Sequence, residues 1–332
     1  NRRCRHPLGL DRFQERGYLA KGSGRGAGKV KKLLVTGGSG LVGGSVCALA
    51  AGSWHVDATY HANKPSLSRV EWHQLDITDS SSVKALAEAV KPDVIIHTAA
   101  IADIDVCERD PQAAWETNVA GTRNVKAGAD AVSAHLIHLS TSTVFDGEKG
   151  DYRESDPTRA INVYARTKIA SEAEALSKAS NAVVRTTLVI GFPKTAGRSF
   201  LADAVAKLRG GKILALPKSE IRNPVDTWTL SSCLLELADS ARAGIFHVAG
   251  LESLSRFEMG LKIADRVGVD RSLVASLEKL PPGRAPRPRD ASLNTEKVRS
   301  VLKTTLPDFS HAIEQAFRWG SESPDTRAGK RR

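Results

Sequence analysis

The feature that most constrains the fold of this chain is a glycine-rich turn, TGGSGLVG at 36–43, which directly follows the apolar run KKLLVT. Its glycines have the GxxGxxG spacing: the first permits a tight turn, the second lets a pyrophosphate approach the backbone, and the third lets a helix pack closely on the strand. Phosphates then lie at a helix N-terminus, where free N–H groups and the dipole favour negative charge. We therefore predict a dinucleotide site formed by Gly37, Ser39, Gly40, Leu41, Val42 and Gly43.

From residue 31 the chain alternates short β-like runs with amphipathic segments, which is typical of a parallel sheet covered by helices on both faces. This pattern predicts strands at 31–36, 54–60, 70–75, 93–98, 134–141 and 182–189. It predicts helices at 42–51, 80–90, 112–131 and 159–179, and, beyond residue 190, at 198–209, 228–240, 255–267 and 308–318. We expect GIFHVAG at 244–250 to return to the main sheet as a strand, and PPGRAPRP at 281–288 to be a rigid surface loop.

The predicted fold class is α/β, a Rossmann-type doubly wound parallel sheet with a smaller C-terminal substrate lobe. We place the dinucleotide-binding domain, with the catalytic residues, at 30–190 and the substrate lobe at 191–320. The segments 1–29 and 321–332 are predicted to be disordered, the first as a basic extension and the second as a tail. Because the first strand needs nothing upstream of it, we hypothesise that the native chain starts at Val30, from a start codon that otherwise encodes valine.

The net charge of +11 is concentrated in the terminal segments. Residues 1–32 carry ten Lys or Arg and two Asp or Glu, a balance of +8, and residues 321–332 add +2, which leaves +1 for 33–320. Basic, glycine-containing termini indicate disorder more often than a binding surface. Nucleic acid is therefore not an expected partner.

Neither a membrane segment nor a metal site is expected from this sequence. The longest apolar stretches are too short to span a bilayer, and no apolar secretory core stands near the N-terminus. The four cysteines are scattered, without a CxxC pair or a neighbouring His cluster. We expect free thiols, a reducing cytoplasmic location and no bound metal. A homodimer is compatible with these features.

The end of the second predicted strand indicates which nicotinamide cofactor fits. An acidic residue there binds the ribose 2′-hydroxyl of NAD, whereas a basic one accommodates the 2′-phosphate of NADP. Asp57 falls too early in the strand to reach the ribose and is interpreted as structural. Tyr60, His61 and Lys64 occupy the decisive region. This favours NADP(H), with NAD(H) as the alternative.

The residues that follow the third and fourth predicted strands complete the expected cofactor site. Asp76 and Ile77 follow the third strand and are expected to face the adenine. Thr98, Ala99 and Ala100 follow the fourth strand and are expected to line the nicotinamide side. All five stand at carboxyl ends of parallel strands, the edge at which such sheets bind ligands.

Tyr164 and Lys168 form a YxxxK pair on a predicted helix. A spacing of four residues puts both side chains on one helix face. The ordinary pKa of a tyrosine is about 10, and a neighbouring ammonium is expected to lower it towards the working range. Thr141, at the end of the strand 134–141, is placed to hydrogen-bond the reacting oxygen. We predict a carbonyl reduction in which Tyr164 supplies the proton.

Each of these motifs alone is common, because most Tyr–Lys pairs on helices are solvated surface pairs. Their order favours function: the glycine turn comes first, then the strand-end hydroxyl, then YxxxK 23 residues later. The histidines at 97, 135 and 138 do not cluster with acidic residues. We interpret them as core or surface residues.

Together these motifs resemble those of the extended short-chain dehydrogenases/reductases, and in particular the dTDP-4-dehydrorhamnose reductase family, over nearly all of 31–318. The matching segments are TGGSGLVG, LDITD at 75–79, KPDVIIHTAA at 91–100, VCERDP at 106–111, TNVAGT at 117–122, STSTVFDGEKGDYRESDP at 140–157, NVYARTK at 162–168 and RPRDASLNTEKV at 287–298. The resemblance implies that Thr141, Tyr164 and Lys168 do the chemistry, and that Tyr164 and Lys168 also contact the cofactor. It implies reduction of the C4 keto group of a nucleotide-linked 6-deoxysugar by NADPH or NADH, as in dTDP-L-rhamnose biosynthesis.

The sequence departs from that family at Ser142 and Thr143, where the family pattern STDYVFDG has Asp and Tyr. Two alternatives remain open. One is a sugar-nucleotide epimerase or dehydratase, which keeps its cofactor bound and recycles it. The other is a non-catalytic, dinucleotide-binding regulatory subunit such as the beta subunit of methionine adenosyltransferase, which resembles the same family.

Overall fold

A computed structural model describes residues 30–195, 197–277 and 283–321. The chain divides between Val30 and Lys31, and the account below concerns the unit that starts at Lys31. Its strands are β1 (Lys32–Thr36), β2 (His55–Tyr60), β3 (Glu71–Gln74), β4 (Val94–His97), β5 (His135–Thr141), β6 (Ala182–Thr186), β7 (Val189–Ile190), β8 (Leu214–Leu216), β9 (Ile221–Arg222), β10 (Val225–Asp226), β11 (Gly244–Val248), β12 (Leu254–Ser255) and β13 (Val274–Ser276). Its α-helices are α1 (Leu41–Ala50), α2 (Ser80–Val90), α3 (Ile104–Arg109), α4 (Pro111–Trp115), α5 (Gly121–Ala131), α6 (Val163–Leu176), α7 (Phe200–Arg209), α8 (Thr227–Ser240), α9 (Arg256–Val267), α10 (Glu296–Val301) and α11 (Phe309–Ser321).

Seven strands form one sheet in the order β11-β6-β5-β4-β1-β2-β3. Every neighbouring pair is parallel, which confirms the predicted doubly wound α/β fold. The predicted return of the C-terminal strand is also confirmed, because β11 pairs with β6 from Gly244 opposite Ala182 to Val248 opposite Thr186. The carboxyl ends of the parallel strands share one edge, and the sequence places the candidate site there.

Two apolar layers cover the sheet. Leu33 and Val35 of β1 belong to one core, which α1 and α8 cover. Leu34, between them, belongs to the other core, together with residues of α2 and α5. Because successive side chains of a strand point to opposite faces, a strand that is buried on both sides reads as an uninterrupted apolar run.

The predicted helix 112–131 is confirmed, because residues 111–131 are helical throughout, as α4, a π-helical turn at Glu116–Ala120 and α5. Helix α3, which was not predicted, precedes it. Asp110 separates α3 from α4: its side chain accepts a hydrogen bond from Ala113 N, and Pro111 opens the new helix. Turns of the π type inside helices occur frequently at functional sites, and this one contains a buried asparagine of the site.

The predicted helix 159–179 starts later, at Val163, because Asn162 has an extended backbone and its side chain caps the helix by accepting from Ala165 N. The four predicted C-terminal helices are confirmed as α7, α8, α9 and α11 to within a few residues. The strands β7, β8, β9, β10, β12 and β13 were not predicted, since segments of two or three residues are too short to show a period. They form three two-stranded sheets.

A separate apolar core lies among elements that follow residue 190, with Leu201, Met259 and Phe309 among its members. However, α8 packs on α1 and β11 belongs to the main sheet, so the domain boundary at 190/191 stays a prediction. The predicted disorder of 1–29 and of 322–332 lies outside the described residues. Within the described ranges, none of the helices combines the length and the apolar composition that crossing a bilayer requires.

A buried ion pair fastens α6 to the sheet. Arg185 Nη2 on β6 lies 2.7 Å from Glu172 Oε2, and the two side chains are 4% and 6% exposed. Arg185 Nε donates a second hydrogen bond, to Glu172 Oε1 at 2.9 Å, and Ser140 Oγ of β5 donates to the same oxygen at 2.5 Å. Buried charges are costly unless they are paired and hydrogen-bonded. The pair therefore fixes one register of α6 against two strands.

We expect Glu172→Gln to lower the free energy of unfolding by about 3–5 kcal/mol, because it leaves the Arg185 guanidinium buried without a counter-charge. Urea denaturation followed by circular dichroism measures this loss. The matched control on the same helix is Glu174→Gln, which breaks the exposed pair with Arg123 and should barely move the urea midpoint. Equal effects of the two substitutions would contradict the assignment.

Candidate active site

The glycine-rich turn between β1 and α1 is shaped to receive phosphate. Gly37 has φ +73°, a backbone angle that residues with a side chain rarely adopt. A Cβ at this position would lie 2.6 Å from Ala99 N. A Cβ on Gly43 would collide with the Gly37 carbonyl, so α1 packs directly on the turn. Gly40 is the N-cap of α1, and no side chain caps the helix there. The first N–H groups of α1 are therefore left for phosphate oxygens.

A loop that the sequence did not single out also reaches this turn. Thr195 Oγ1 donates to the carbonyl oxygens of Ser39 at 2.8 Å and Gly40 at 3.2 Å. A Cβ on Gly197 would lie 2.7 Å from Leu41 N. The loop between β7 and α7 therefore borders the predicted phosphate site. Val42, another residue predicted for this site, is partly buried.

The carboxyl ends of β2 and β3 lie side by side at the same edge. Tyr60 is partly buried, and His61 and Lys64 are exposed. His61 Nε2 lies 3.9 Å from Asp76 Oδ2. Asp76 accepts from the N and Oγ1 of Thr78 at 2.9 and 2.8 Å, and these bonds hold its pKa below the ordinary value. The predicted contacts of these residues with the adenosine half of a cofactor stay predictions.

The residues after β3 and β4 differ in their side-chain contacts. Ile77 packs in the core beside α2 and α5. Thr98 Oγ1 donates to Thr36 O at 2.7 Å and so joins the ends of β4 and β1. Ala99 and Ala100 follow, both partly buried. Their predicted positions beside adenine and nicotinamide stay predictions.

Thr141 and Tyr164 meet at the carboxyl end of β5. Thr141 ends β5, Tyr164 lies in the first turn of α6, and the Thr141 hydroxyl is close enough to the phenol to influence its pKa. Tyr164 is 9% exposed and packs among Cys107, Ala114 and Val163. Burial raises the pKa of Tyr164, and the nearby Thr141 hydroxyl acts in the opposite direction. The phenol is therefore protonated near neutral pH, as a proton donor must be.

Lys168 lies one turn beyond Tyr164, and its ammonium faces β5. Nζ donates to Leu139 O at 2.8 Å and lies 3.0 Å from His138 Nε2. Burial lowers the pKa of Lys168 to about 8, while Glu172 acts in the opposite direction. The predicted lowering of the Tyr164 pKa is wrong for this structure, because the ammonium is held by the strand and burial dominates at the phenol.

The interpretation of His97 and His138 as core residues is confirmed, and His135 is partly buried. His138, however, also belongs to the site through its contact with Lys168. The rings of His97 and His138 lie 5.1 Å apart, and His97 Nδ1 lies 2.6 Å from Thr36 Oγ1. Burial lowers the pKa of both histidines, to about 3 for His97. The His138 imidazole is thus neutral, and its Nε2 can accept a hydrogen bond from the Lys168 ammonium.

Asn118 is a site residue that the sequence reasoning missed. It lies in the π-helical turn and is 1% exposed. Its side chain accepts from Ile101 N at 2.8 Å and donates to Ile101 O and to Thr167 Oγ1, both at 3.0 Å. Thr167 Oγ1 in turn donates to Tyr164 O at 2.8 Å. Asn118 therefore ties the loop after β4 to helix α6, which carries the candidate catalytic residues. The sequence signal for Asn118 is the segment TNVAGT at 117–122, which matches the family pattern.

Ser142 and Thr143, the two departures from the family pattern, form a 3-10 turn directly after β5 and are buried. Thr143 N donates to Thr141 Oγ1 at 3.1 Å, and the two threonine hydroxyls lie 3.0 Å apart. The departure thus replaces a carboxylate with a hydroxyl next to the candidate catalytic Thr141.

The second half of the segment 281–288 lies against the start of helix α6. Residues 281 and 282 are outside the described ranges. Asn162 Nδ2, at the start of α6, donates to Pro286 O at 2.8 Å. Ala285 is 6% exposed, and its N–H donates to Asp105 Oδ1 at 2.9 Å. This half is a loop, as predicted, but it is partly buried, and its backbone groups have partners on α3 and at the start of α6.

Four arginines gather beside this loop. Arg287 forms a two-point pair with Asp105, with both distances 2.7 Å, and this pair holds the pKa of Asp105 at about 2. Arg284 pairs with Glu220. The two other members of the group are Arg222 and Arg256.

Arg222 and Arg256 have no ion-pair partner within the described ranges. Arg222 donates to Pro288 O at 3.0 Å, and the Arg256 guanidinium lies 4.0 Å from the ring centre of Phe200. Burial lowers the pKa of both, to about 10 for Arg256, and Glu220 acts in the opposite direction. Both remain charged near neutral pH. Two guanidiniums without a paired carboxylate form a suitable site for an anion.

A family model described as "RmlD substrate binding domain" matches residues 31–320. The chain belongs to this family. It is 31% identical over 301 residues to the probable low-salt glycan biosynthesis reductase Agl14 of Haloferax volcanii, covering 86% of this chain and 97% of that protein. It is 30% identical to the methionine adenosyltransferase 2 subunit beta of Xenopus tropicalis, covering 82% of each chain. It is also 30% identical to the dTDP-4-dehydrorhamnose reductase of Mycolicibacterium smegmatis, covering 86% of this chain and 85% of that protein.

Solved structures support the same placement in the RmlD family. A hypothetical dTDP-4-dehydrorhamnose reductase from Sulfolobus tokodaii superimposes with a TM-score of 0.76 at 30% identity, covering 83% of this chain and 96% of that one. The dTDP-4-dehydrorhamnose reductase of Bacillus anthracis in complex with NADP has the same fold, with a TM-score of 0.78, 23% identity and coverage of 87% and 99%. The resemblance inferred from the motifs is confirmed.

We expect Gly37→Ala to weaken NADPH binding at least ten-fold, because the substitution places a Cβ against Ala99 N at a strained positive φ. Titration of NADPH fluorescence measures the affinity. The control is Gly52→Ala, just beyond α1, where a Cβ would meet nothing within 4 Å. An unchanged affinity in Gly37→Ala would contradict the assigned phosphate turn.

Proposed function

We propose that this protein reduces the C4 keto group of a nucleotide-linked 6-deoxysugar with NAD(P)H, as in the formation of dTDP-L-rhamnose. The observation that carries the proposal is the meeting of Thr141 and Tyr164, with Lys168 one turn behind, at the sheet edge that carries the glycine-rich turn. Membership of the RmlD family and the reductases among its relatives support it.

Each catalytic side chain has a distinct role in this proposal. The nicotinamide, when bound, supplies a hydride. Thr141 Oγ1 and Tyr164 Oη hold the carbonyl oxygen by hydrogen bonds, and Tyr164 donates its proton to that oxygen. The buried phenol holds its proton until negative charge develops on the substrate. Lys168, whose ammonium is held by Leu139 O and His138, contacts the bound cofactor in this proposal.

The arginines near the catalytic helix suit the diphosphate of a nucleotide sugar. A guanidinium offers a planar fork of donors that matches phosphate oxygens. Arg222 is bonded to Pro288 O, in the same loop whose Pro286 carbonyl accepts from Asn162. Asn162 caps α6 two residues before Tyr164. We propose that a diphosphate bound by Arg222 and Arg256 brings the attached sugar to Tyr164.

We propose NADP(H) as the preferred nicotinamide cofactor. His61 and Lys64 are exposed beyond the end of β2, where a 2′-phosphate would lie. Asp57 is 3% exposed, and its carboxylate is bonded to His73 Nε2 at 2.7 Å, so it is not available to a ribose. A cytoplasmic location is also proposed, and the free thiols of Cys47, Cys107 and Cys233 support it.

We expect the double substitution His61→Asp/Lys64→Glu to shift the ratio of kcat/KM for NADPH over NADH at least ten-fold towards NADH, because a carboxylate repels the 2′-phosphate and accepts from a 2′-hydroxyl. Initial rates with each cofactor give the ratio. Lys84→Glu, which changes an exposed charge on α2, should leave the ratio unchanged. An unaltered ratio in the double variant would refute the NADP(H) assignment.

We expect wild-type protein to oxidise NADPH with a dTDP-4-keto-6-deoxyhexose, and Tyr164→Phe to reduce kcat at least 100-fold while NADPH affinity changes little. The phenol is needed for proton transfer, whereas the dinucleotide is bound mainly by the glycine turn. A panel of nucleotide sugars, scored by NADPH absorbance, measures turnover, and fluorescence titration measures binding. An active Tyr164→Phe protein would overturn the mechanism.

A regulatory subunit is the second candidate function. The similarity to methionine adenosyltransferase 2 subunit beta and the presence of Ser142 in place of the family's Asp favour it. Tight NADPH binding without turnover on any nucleotide sugar, in both wild type and Ser142→Asp, would establish this candidate over the reductase. Conversion of a sugar nucleotide without added reductant, by protein that retains NAD(H), would indicate an epimerase or dehydratase instead.

A further inference from the structure

The pairing of β2 with β3 gathers four possible metal ligands on one face of the sheet, and β3 is the edge strand. Asp57 lies opposite Glu71, and Thr59 opposite His73. Because alternate residues of a strand share a face, His55 and Asp57 lie on the same face as Glu71 and His73. His55 and Glu71 begin their strands, so this cluster lies at the amino ends, away from the carboxyl edge that carries the catalytic residues.

The donor atoms of three of these residues have the spacing of a tetrahedral zinc site. His55 Nε2 lies 3.3 Å from Asp57 Oδ2 and 3.6 Å from Glu71 Oε1, and the three donor atoms lie within 4.8 Å of one another. Zn–N and Zn–O bonds of about 2.0–2.2 Å in a tetrahedron place neighbouring ligand atoms roughly 3.3–3.6 Å apart. Two of the three separations match these values.

Asp57 is the buried member of the cluster formed by His55, Asp57, Glu71 and His73. Its side chain is 4% exposed, and its Oδ1 lies 2.7 Å from His73 Nε2, which leaves Oδ2 on the side of His55. Metal-bound carboxylates are held by hydrogen bonds of this kind. Within the described residues, the ion-pair partners of Asp57 are imidazoles, which are charged only when protonated. A dication supplies the permanent positive charge that a buried carboxylate needs.

The cluster leaves room for a solvent ligand. His55 and Glu71 have side chains that are 44% and 64% exposed. They line a hollow of about 350 Å³ that also touches Trp54, Val56 and Arg69. Three protein ligands and one water satisfy the coordination of zinc.

We propose that His55, Asp57 and Glu71 bind one Zn²⁺ ion, that His73 orients Asp57, and that the ion fastens the edge strand β3 to β2. The site was not predicted from the sequence, because His55 and Asp57 are far from Glu71 and His73 in the chain and only the register of two strands brings them together. The ion has a structural role, since its ligands lie at the sheet edge opposite the catalytic residues.

Zinc titration of the full-length protein tests this proposal. Protein freed of metal by EDTA and dialysis is titrated with ZnCl₂ against a chromophoric chelator, and Co²⁺ serves as a spectroscopic probe of tetrahedral coordination. We expect one zinc ion per chain. At free zinc about 100-fold above Kd, we expect Tm to rise by roughly 5 °C.

His55→Gln and Glu71→Gln change exposed side chains and should fold, and each should weaken zinc binding more than 100-fold and abolish the rise in Tm. His73→Gln should weaken binding about 10–100-fold, as the loss of a hydrogen bond to a ligand does. The matched control is His311→Gln, which removes an exposed imidazole 2.9 Å from Asp308. Equal zinc affinity in His55→Gln and His311→Gln, or no stoichiometric zinc in the wild type, would overturn the proposal.

Discussion

The buried charged side chains of helix α6 determine where the candidate catalytic groups lie. Lys168 and Glu172, four residues apart, are both buried; the first is bonded to a carbonyl of β5 and the second to Arg185 of β6. The cost of burying a charge is offset only when its partners keep close, well-directed hydrogen bonds. The helix therefore cannot slide or rotate without breaking them. Tyr164, on the first turn, is consequently held where its hydroxyl meets that of Thr141.

A hydrogen-bonded core connects this helix to the glycine-rich turn. Thr36, which directly precedes the turn, is bonded to His97; the His97 ring packs on His138, and His138 contacts Lys168. Because burial keeps both imidazoles neutral, the ammonium is the charged group at the end of this chain of contacts. The ends of β1, β4 and β5 thus share one polar network beneath the candidate site.

The parts of the structure that depend on local sequence patterns could be predicted from the sequence. Apolar runs and helical periodicity predicted the central strands, and the GxxGxxG spacing predicted the turn at Gly37. Pairings between distant segments were not predictable in this way. The contact of His138 with Lys168, the hydrogen bond of Asn162 to Pro286 O and the packing of Ala285 on α3 all depend on which elements become neighbours. The direction of the Tyr164 pKa was misjudged for the same reason, because the YxxxK spacing gives the helix face but not the depth of burial.

The position of β11 has a consequence for how the chain reaches this structure. Strand β6 ends at residue 186, but its neighbour on the outer side begins at residue 244. Until the ribosome has delivered that later segment, β6 has an unpaired edge, which is a template for association with other chains. Helix α8, which covers α1, is also synthesised well after β6. Such non-local closure slows folding, and the central sheet is complete only after most of the chain has been synthesised.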